Sequence, residues 1–313
     1  MNDRLTVFAG PASVHLGQQV CDSLQVAPAA YDLRRFPDGE LQVEVGESVR
    51  GCDVFLVQAT SPPVEQHLME LLLLADACRR AGARRLTGIV PYFGYARQDR
   101  RTGRCSLGAR VVADAISTAG FERLLLIDAH TPAIEGFFDV PIDHLTAVPL
   151  LAHAVAPSIT DHSIVVAPDL GAVKRAREYA RLLQVPMAVI HKTRLDGDEV
   201  EAHSVIGDVR GRVPLIVDDM LSTGGTIKAA VGALRAAGAM EPVAVVVTHL
   251  LLVGQARELL RTLPLSRLIA GDTVAIAGPV EPYLEVTSVA QLIATAVRRC
   301  HLGESLADLR GQT

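Results

Sequence analysis

Nine consecutive residues, from Asp218 to Thr226, combine two acids, three hydroxyl side chains and two glycines. The apolar segment 213–217 before them predicts a buried strand, and the alanine-rich segment 227–238 after them predicts a helix. The nine residues are expected to form the loop between the two. Free backbone N–H groups and the positive end of the helix dipole meet at a helix amino terminus, and both favour a phosphate.

Each residue type in this stretch has its own chemical use. Gly224 and Gly225 allow the backbone to approach a ligand closely. Because like charges repel, Asp218 and Asp219 cannot bind the phosphate itself, but they suit the hydroxyls of an attached sugar, or a metal ion. Three side chains add hydroxyl donors: Ser222, Thr223 and Thr226. The stretch predicts a sugar-phosphate site, and it is not a Walker loop, since the Gly-x-x-x-x-Gly-Lys-Ser/Thr spacing is absent.

Composition limits the classes of protein that the chain can belong to. Its 313 residues predict two domains of ordinary size. A hydrophobic content of 49% is enough for two cores, and a charged content of 21% is too low for disorder. The net charge of −5 argues against a partner as anionic as a nucleic acid. A phosphorylated small molecule is therefore the better expectation for the local arginine cluster in segment 97–110.

Cysteine usage and hydropathy predict a cytoplasmic protein. The five cysteines are scattered and form no Cys-x-x-Cys pair, which argues against a disulfide framework or a thiolate zinc site. The amino terminus lacks the long apolar segment of a signal peptide. The most apolar stretch, 243–253, is too short to cross a bilayer, so no membrane partner is expected.

A recurring order of helix, glycine and apolar strand predicts parallel sheets. Gly82, Gly120 and Gly238 each follow a predicted helix and precede an unalternating, β-branched run. This alternation is typical of α/β proteins. Because each half of the chain carries such units, we predict two similar domains, each a mostly parallel sheet flanked by helices. They span 1–147 and 148–313, with the last helix packing back on the first domain.

Polar segments follow five of the predicted strands, at the sheet edge where open parallel sheets bind their ligands. These segments are 91–101, 128–130, 167–175, 191–194 and 218–226. Asp128, His130 and Asp169 could supply ligands to Mg²⁺, although a single strand-end histidine is more often simply hydrogen-bonded. Lys192 and Arg194 lie two apart in an extended segment and point to the same side. The charged tract 195–199 after them predicts a mobile loop, and an ordinary solvated loop is the alternative.

Four motifs occur in a fixed order along the chain. They are Phe36-Pro37-Asp38-Gly39-Glu40, Pro91-Tyr92-Phe93-Gly94-Tyr95-Ala96-Arg97-Gln98-Asp99, Asp128-Ala129-His130 with Gly136-Phe137-Phe138, and Val217-Asp218-Asp219-Met220 through Thr226. Together they resemble the ribose-phosphate diphosphokinase family, also called phosphoribosyl pyrophosphate synthetases, over residues 5–290. On its own chemistry the segment 36–40 is only a hairpin turn.

The resemblance implies a phosphoribosyltransferase-like fold and a defined reaction. Enzymes of this family transfer the β,γ-diphosphoryl group of ATP to the C1 hydroxyl of D-ribose 5-phosphate, giving 5-phosphoribosyl 1-diphosphate and AMP. It further implies Mg²⁺ as the cofactor. It also implies a homo-oligomer, typically a hexamer, in which the loop 36–40 reaches a neighbour's ATP site.

The resemblance also assigns roles to residues, position by position. The ATP-site positions are Phe36, Asp38, Gly39, Glu40, Arg97 and Gln98. The ribose 5-phosphate positions are Arg194, Asp218, Asp219, Ser222, Thr223, Gly224, Gly225 and Thr226. Lys192 and Arg194 match the catalytic lysine and its partner, and His130 and Asp169 match the magnesium-associated positions.

Two other functions compete with this interpretation. A phosphoribosyltransferase shares the Asp-Asp…Thr-Gly-Gly-Thr pattern but has no need of the segments at 36–40 and 97–98. A non-catalytic regulatory homologue should have lost residues of the sugar loop or the lysine segment, and all of them are present here. The chain departs from the family in the segment 100–107, which looks short and lacks the customary proline, and at Ala172, where a second glycine is common.

Overall fold

The computed structural model describes residues 4–101, 103–194 and 201–310, without the side chains of 192–194 and 201–203. The described residues form two units. One unit contains the residues up to Thr146, the segment Thr273–Ala275 and the residues from Ser288 onward. The other contains Ala147–Asp272 and Ile276–Thr287. The first segment of the first unit thus ends one residue before the boundary expected from the sequence, and the chain returns to this unit from Ser288 onward.

The described part of the first unit begins with seven strands and three helices. The strands are β1 (Leu5–Ala9), β2 (Tyr31–Arg35), β3 (Leu41–Val45), β4 (Asp53–Val57), β5 (Arg85–Val90), β6 (Arg123–Ile127) and β7 (Ile142–Leu145). The helices are α1 (Val14–Leu24), α2 (Val64–Arg80) and α3 (Gly108–Thr118). Short 3-10 turns at Pro11–Ser13 and Pro132–Phe137 complete this part of the chain.

The second unit has its own set of elements. Its strands are β8 (Ser163–Ala167), β9 (Met187–Arg194), β10 (Glu201–Ile206), β11 (Val213–Leu221), β12 (Val243–Leu250), β13 (Leu265–Gly271) and β14 (Leu284–Thr287). Its helices are α4 (Val148–Val155), α5 (Val173–Leu183), α6 (Gly225–Ala236) and α7 (Ala256–Arg261). The last helix, α8 (Ala290–Leu302), belongs to the first unit.

Both units are built on sheets of the predicted kind. The first sheet has the order β1-β4-β5-β6-β7 and every pair in it is parallel. The second has the order β10-β9-β8-β11-β12-β13-β14, and only β9 and β10 pair antiparallel. All residues of β4 and β8 are buried, as expected for strands covered by helices on both faces. The predicted α/β class is therefore confirmed.

The glycine caps that suggested this alternation are confirmed. Gly82, Gly120 and Gly238 follow α2, α3 and α6 with φ angles of 88°, 102° and 81°. A residue with a side chain is strained in this left-handed region, whereas glycine adopts it freely and ends the helix. The predicted tight turn after β2 is also confirmed, since β2 and β3 form an antiparallel pair around 36–40.

Two strands run further than their apolar residues predicted. The expected end of β9 at Ile190 is wrong, since the strand continues to Arg194 against β10. The predicted loop over 218–226 is also wrong in its first part. Because β11 keeps pairing with β12 through Leu221, the acids Asp218 and Asp219 lie within the strand. The backbone of a neighbouring strand, rather than side-chain polarity, decides where such a strand stops.

The carboxyl-terminal helix is held against the first unit by a buried acid. Asp53, which is only 2% exposed, begins β4 and accepts a hydrogen bond from Arg85 Nε at 2.8 Å. Its other oxygen lies 2.7 Å from His301 Nδ1 on α8. Ser288, just before α8, donates to Gln19 at 2.7 Å.

Among the described helices, none is long and apolar enough to span a membrane.

We expect Asp53→Ala to destabilise the first unit strongly. The change leaves the partly buried guanidinium of Arg85 without its carboxylate and removes the contact with His301, and the loss of one partner of such an ion pair costs about 3–5 kcal/mol. Urea unfolding measures the change in free energy. Asp76→Ala is the matched control, because Asp76 pairs with Arg79 and Arg80 on the surface of α2 and should cost less than about 1 kcal/mol. Equal losses in the two variants would refute the role of Asp53.

Candidate functional site

The turn between β11 and α6 depends on one glycine. Gly224 has a φ of 82°, which a residue with a side chain rarely adopts. A Cβ atom at this position would also lie 3.2 Å from Leu259 Cδ2. The backbone of Ser222 accepts a hydrogen bond from Val253 N at 3.1 Å, which attaches the turn to the loop after β12. The turn is therefore built and held by backbone geometry.

The amino terminus of α6 is open. Gly224 is the N-cap residue, and no side chain in the described part of the chain caps the helix. The first N–H groups of an α-helix have no partner within the helix, so those of α6 remain available. Thr223, Gly225 and Thr226 are exposed, and a Cβ atom at Gly225 would meet only Thr223 Oγ1, at 3.8 Å. This end of α6 has the free donors and the space that a phosphate requires.

Two nearly buried carboxylates precede the turn. The side chains of Asp218 and Asp219 are 13% and 7% exposed. Asp219 N donates to Asp218 Oδ1 at 2.9 Å. Arg175 Nη1, from the first turn of α5, lies 3.6 Å from Asp218 Oδ1 and 3.9 Å from Asp219 Oδ1. The acids, the arginine and the open helix end all lie in the second unit.

The environment of Asp218 changes its acidity. Burial, and next the negative charge of Asp219, raise the pKa of the Asp218 carboxyl to about 8, while the Arg175 guanidinium opposes the shift. Neighbouring acids that share a buried site titrate together, so the shift belongs to the pair. Perturbed acids of this kind are concentrated at functional sites.

Asp169 lies in the turn that leads from β8 into α5. Its side chain is exposed, and its Oδ1 accepts a hydrogen bond from Ala172 N at 3.0 Å. Ala172 is buried, and α5 begins at the next residue. Within the described residues the Oδ2 atom of Asp169 has no hydrogen-bond partner, so this oxygen is available to a cation.

The lysine segment is described only by its backbone. Lys192 pairs with His203 and Arg194 pairs with Glu201 along the antiparallel β9–β10 pair. The side chains of Lys192 and Arg194 lie outside the described residues, as does the whole tract 195–199 that was expected to form a loop beyond them. Their roles remain the ones that the sequence resemblance implies.

In the first unit, the hairpin turn carries the first group of candidate ATP-site residues. Phe36 N donates to Glu40 O at 2.8 Å, and Glu40 N donates to Asp38 Oδ1 at 3.1 Å. Gly39 has a φ of 95°, and its carbonyl accepts a hydrogen bond from Arg35 at 2.7 Å. The Phe36 side chain is 45% exposed, which is unusual for an aromatic ring. The turn thus presents an aromatic face beside two carboxylates.

A second group follows β5. Gly94 N donates to Thr60 Oγ1 at 2.7 Å, and a Cβ atom at Gly94 would lie only 2.5 Å from Thr60 O. This close approach fixes the start of the turn that exposes Arg97 and Gln98. Gln98 N closes the turn by donating to Tyr95 O at 2.8 Å. Sequence reasoning did not identify the support from Thr60, because that residue lies 34 positions from Gly94.

The candidate metal residues of the first unit follow β6. Asp128 has a φ of 40°, and its Oδ1 accepts a hydrogen bond from Thr146 at 2.8 Å. His130 is exposed. Among the described residues, no group of three or more His, Cys, Asp or Glu side chains could hold a metal ion. A metal here would need ligands from elsewhere, such as water or substrate phosphates.

Comparisons with known proteins agree over nearly the whole chain. A model of the N-terminal domain of ribose phosphate pyrophosphokinase matches residues 5–120, and a phosphoribosyl transferase domain model matches residues 153–264. A ribose-phosphate pyrophosphokinase of Rhodopirellula baltica is 43% identical over 310 residues, covering 97% of this chain and 98% of that protein. One from Staphylococcus epidermidis is 42% identical over 313 residues, covering 98% and 97%.

A solved structure gives the same result in three dimensions. The phosphoribosylpyrophosphate synthetase of Mycobacterium smegmatis matches with a TM-score of 0.89 at 40% sequence identity. The match covers 96% of this chain and 99% of that one. The two-sheet architecture described above is therefore shared with that protein.

The raised pKa of Asp218 predicts a loss of stability as pH rises. An acid with a raised pKa binds its proton more tightly in the folded state, so its contribution is fully present below pH 3.8 and is lost by about pH 8. We expect Asp218→Asn, which cannot ionise, to lose less free energy of unfolding than the wild type between pH 5 and pH 8. Urea unfolding at both pH values measures this. The exposed Asp161→Asn should behave as the wild type does, and an Asp218→Asn curve parallel to both would contradict the prediction.

Proposed function

The chain belongs to the ribose-phosphate pyrophosphokinase family, and on that premise we propose that its second unit binds ribose 5-phosphate through β11 and the start of α6. The enzyme transfers the β,γ-diphosphoryl group of ATP to the C1 hydroxyl of ribose 5-phosphate and releases AMP. The observation that carries the proposed sugar site is the uncapped amino terminus of α6, which follows the acid pair in the chain.

In the proposed complex the 5-phosphate lies at the start of α6. The N–H groups of this turn and the hydroxyls of Ser222, Thr223 and Thr226 donate to its oxygens. The carboxyl oxygens of Asp218 and Asp219 accept hydrogen bonds from the ribose hydroxyls. Gly224 and Gly225 leave room for the ligand, as their conformation and free space indicate.

The first unit is proposed to bind ATP. The exposed ring of Phe36 can stack on adenine, and Asp38, Gly39 and Glu40 can bond to its polar edge. Arg97 and Gln98 are exposed at the end of β5, where they can hold the phosphates. These roles follow the family resemblance, and the exposure of the side chains supports them.

Transfer of a diphosphoryl group requires in-line positioning and neutralisation of developing charge more than it requires a strong base. We assign the neutralisation to Lys192, Arg194 and Arg97, the cations that match the family. Arg194 is also assigned to ribose 5-phosphate. The sugar's C1 hydroxyl is the nucleophile, and the acids hold the neighbouring hydroxyls so that it keeps a single orientation.

Mg²⁺ is the proposed cofactor, with His130 and Asp169 as the protein residues associated with it. The donor set suits this ion, because Mg²⁺ binds few protein ligands and completes its shell with water and substrate phosphates. Asp169 has one oxygen available to a cation, and His130 is exposed. When bound, the ion would neutralise charge on the phosphates of ATP.

A homo-oligomer, a hexamer by family analogy, is also proposed. The apolar surface of α2 predicts burial within the domain or in a subunit contact, and Met69 is 48% exposed while Leu73 is only partly buried. A second copy of the chain would cover this face. Light scattering of the purified protein tests the proposal, and a monomeric mass would reject it.

The products of one reaction distinguish the candidate functions. Purified protein with ATP, Mg²⁺ and ribose 5-phosphate should form AMP and no ADP, as resolved by chromatography of the nucleotides. ADP as the product would indicate ordinary kinase chemistry. An absence of nucleotide turnover would favour the regulatory homologue, and consumption of added phosphoribosyl pyrophosphate with a base would favour a phosphoribosyltransferase.

The variant Gly225→Asp tests the phosphate site directly. The new side chain has space at the start of α6, and its carboxylate would repel the 5-phosphate there. We expect the KM for ribose 5-phosphate to rise about tenfold or more, with the KM for ATP nearly unchanged. Gly232→Asp is the control, since it places the same group in open space on the same helix. If both variants keep the wild-type KM for ribose 5-phosphate, the phosphate does not bind at α6.

A further inference from the structure

Arg175 of the second unit lies beside the acid pair of the proposed sugar site. Arg175 lies in the first turn of α5, and its side chain is only 16% exposed. Its Nη1 atom lies 3.6 Å from Asp218 Oδ1 and 3.9 Å from Asp219 Oδ1. Both distances are longer than a hydrogen bond, so the contact is ionic.

The acid pair needs this positive charge. Asp218 and Asp219 are adjacent and nearly buried, so each disfavours the charge on the other. Within the described residues, Arg175 is the only cation within 4.0 Å of Asp218. Without the guanidinium, the two acids would repel each other more strongly and would leave the positions in which they can accept sugar hydroxyls.

The arginine also joins two parts of the second unit that are far apart in sequence. It follows the Asp169 turn at the end of β8, and it reaches the end of β11, the neighbouring strand. The Asp169 turn is itself held by the hydrogen bond from Ala172 N. A shift of α5 would therefore move the Asp169 turn and the guanidinium together.

We propose that Arg175 is a positioning residue for the sugar site, which holds the carboxyl groups of Asp218 and Asp219 in place as acceptors for the ribose hydroxyls. The inference rests on the assignment of the acid pair to ribose 5-phosphate. Arg175 acts through the two acids and touches neither substrate. Its loss therefore weakens the binding of ribose 5-phosphate and leaves the binding of ATP intact.

Steady-state kinetics of Arg175→Met with the full-length enzyme test the inference. The KM for ribose 5-phosphate should rise about tenfold or more, while the KM for ATP changes less than about twofold. Arg175→Lys, which keeps the charge, should recover part of the loss. Arg177→Met is the matched control, because it makes the same change on the exposed side of α5 and should match the wild type.

A double-mutant cycle separates positioning from direct contact with a substrate. In an Asp218→Asn background the first acid no longer needs a counter-charge, so Arg175→Met should raise the KM for ribose 5-phosphate less than about twofold further. An undiminished effect in that background, or a KM for ATP that rises in parallel, would overturn the proposal and make Arg175 a substrate ligand.

Two further measurements distinguish a folding defect, an incorrect sugar site and an incorrect role for Arg175. Thermal unfolding of each variant shows whether the protein still folds, and Arg175→Lys provides the test if Arg175→Met does not. If Asp218→Asn alone leaves the KM for ribose 5-phosphate unchanged, the proposed sugar site is wrong. If Asp218→Asn raises that KM and Arg175→Met does not, only the inference about Arg175 is wrong.

Discussion

Parallel pairing between β8 and β11 determines where the functional groups of the second unit lie. The register joins Ser163 to Val213 and Val166 to Ile216, so both strands finish at the same edge of the sheet. The Asp169 turn follows one strand, and the acid pair and the start of α6 follow the other. A shift of one residue in this register would turn the side chains of a strand to the opposite face. The site is therefore a consequence of backbone hydrogen bonds deep in the sheet.

Electrostatics then sets what this edge can bind. Two nearly buried carboxyl groups beside one arginine offer acceptors to hydroxyl donors, while the amino terminus of α6 offers positive potential for a phosphate. A sugar phosphate carries both kinds of group. The acids bind the hydroxyl groups and the helix end binds the phosphate group of the same ligand. Both can therefore lie in one continuous stretch of chain.

In the first unit, ion pairs and hydrogen bonds hold the carboxyl-terminal helix and the residues that follow it. Buried carboxylates do this by taking partners from distant parts of the chain: Asp53 binds Arg85 and His301, and Asp143 binds Arg123 and Arg310. These four partners lie at the amino ends of strands or near the end of the chain. The opposite edge of the sheet, where the segments after β5 and β6 lie, is left to the candidate ATP-site residues.

The sequence by itself determined the α/β class, the glycine caps and the strand–turn–helix order around Asp218, because these follow from patterns within a few residues. Short motifs also predicted the family and its reaction. Only the tertiary structure decided that β11 continues through the acid pair, that Thr60 supports Gly94 and that Arg175 compensates Asp218. Each of these joins residues far apart in the chain, and no local pattern records which distant backbone or charge a residue will meet.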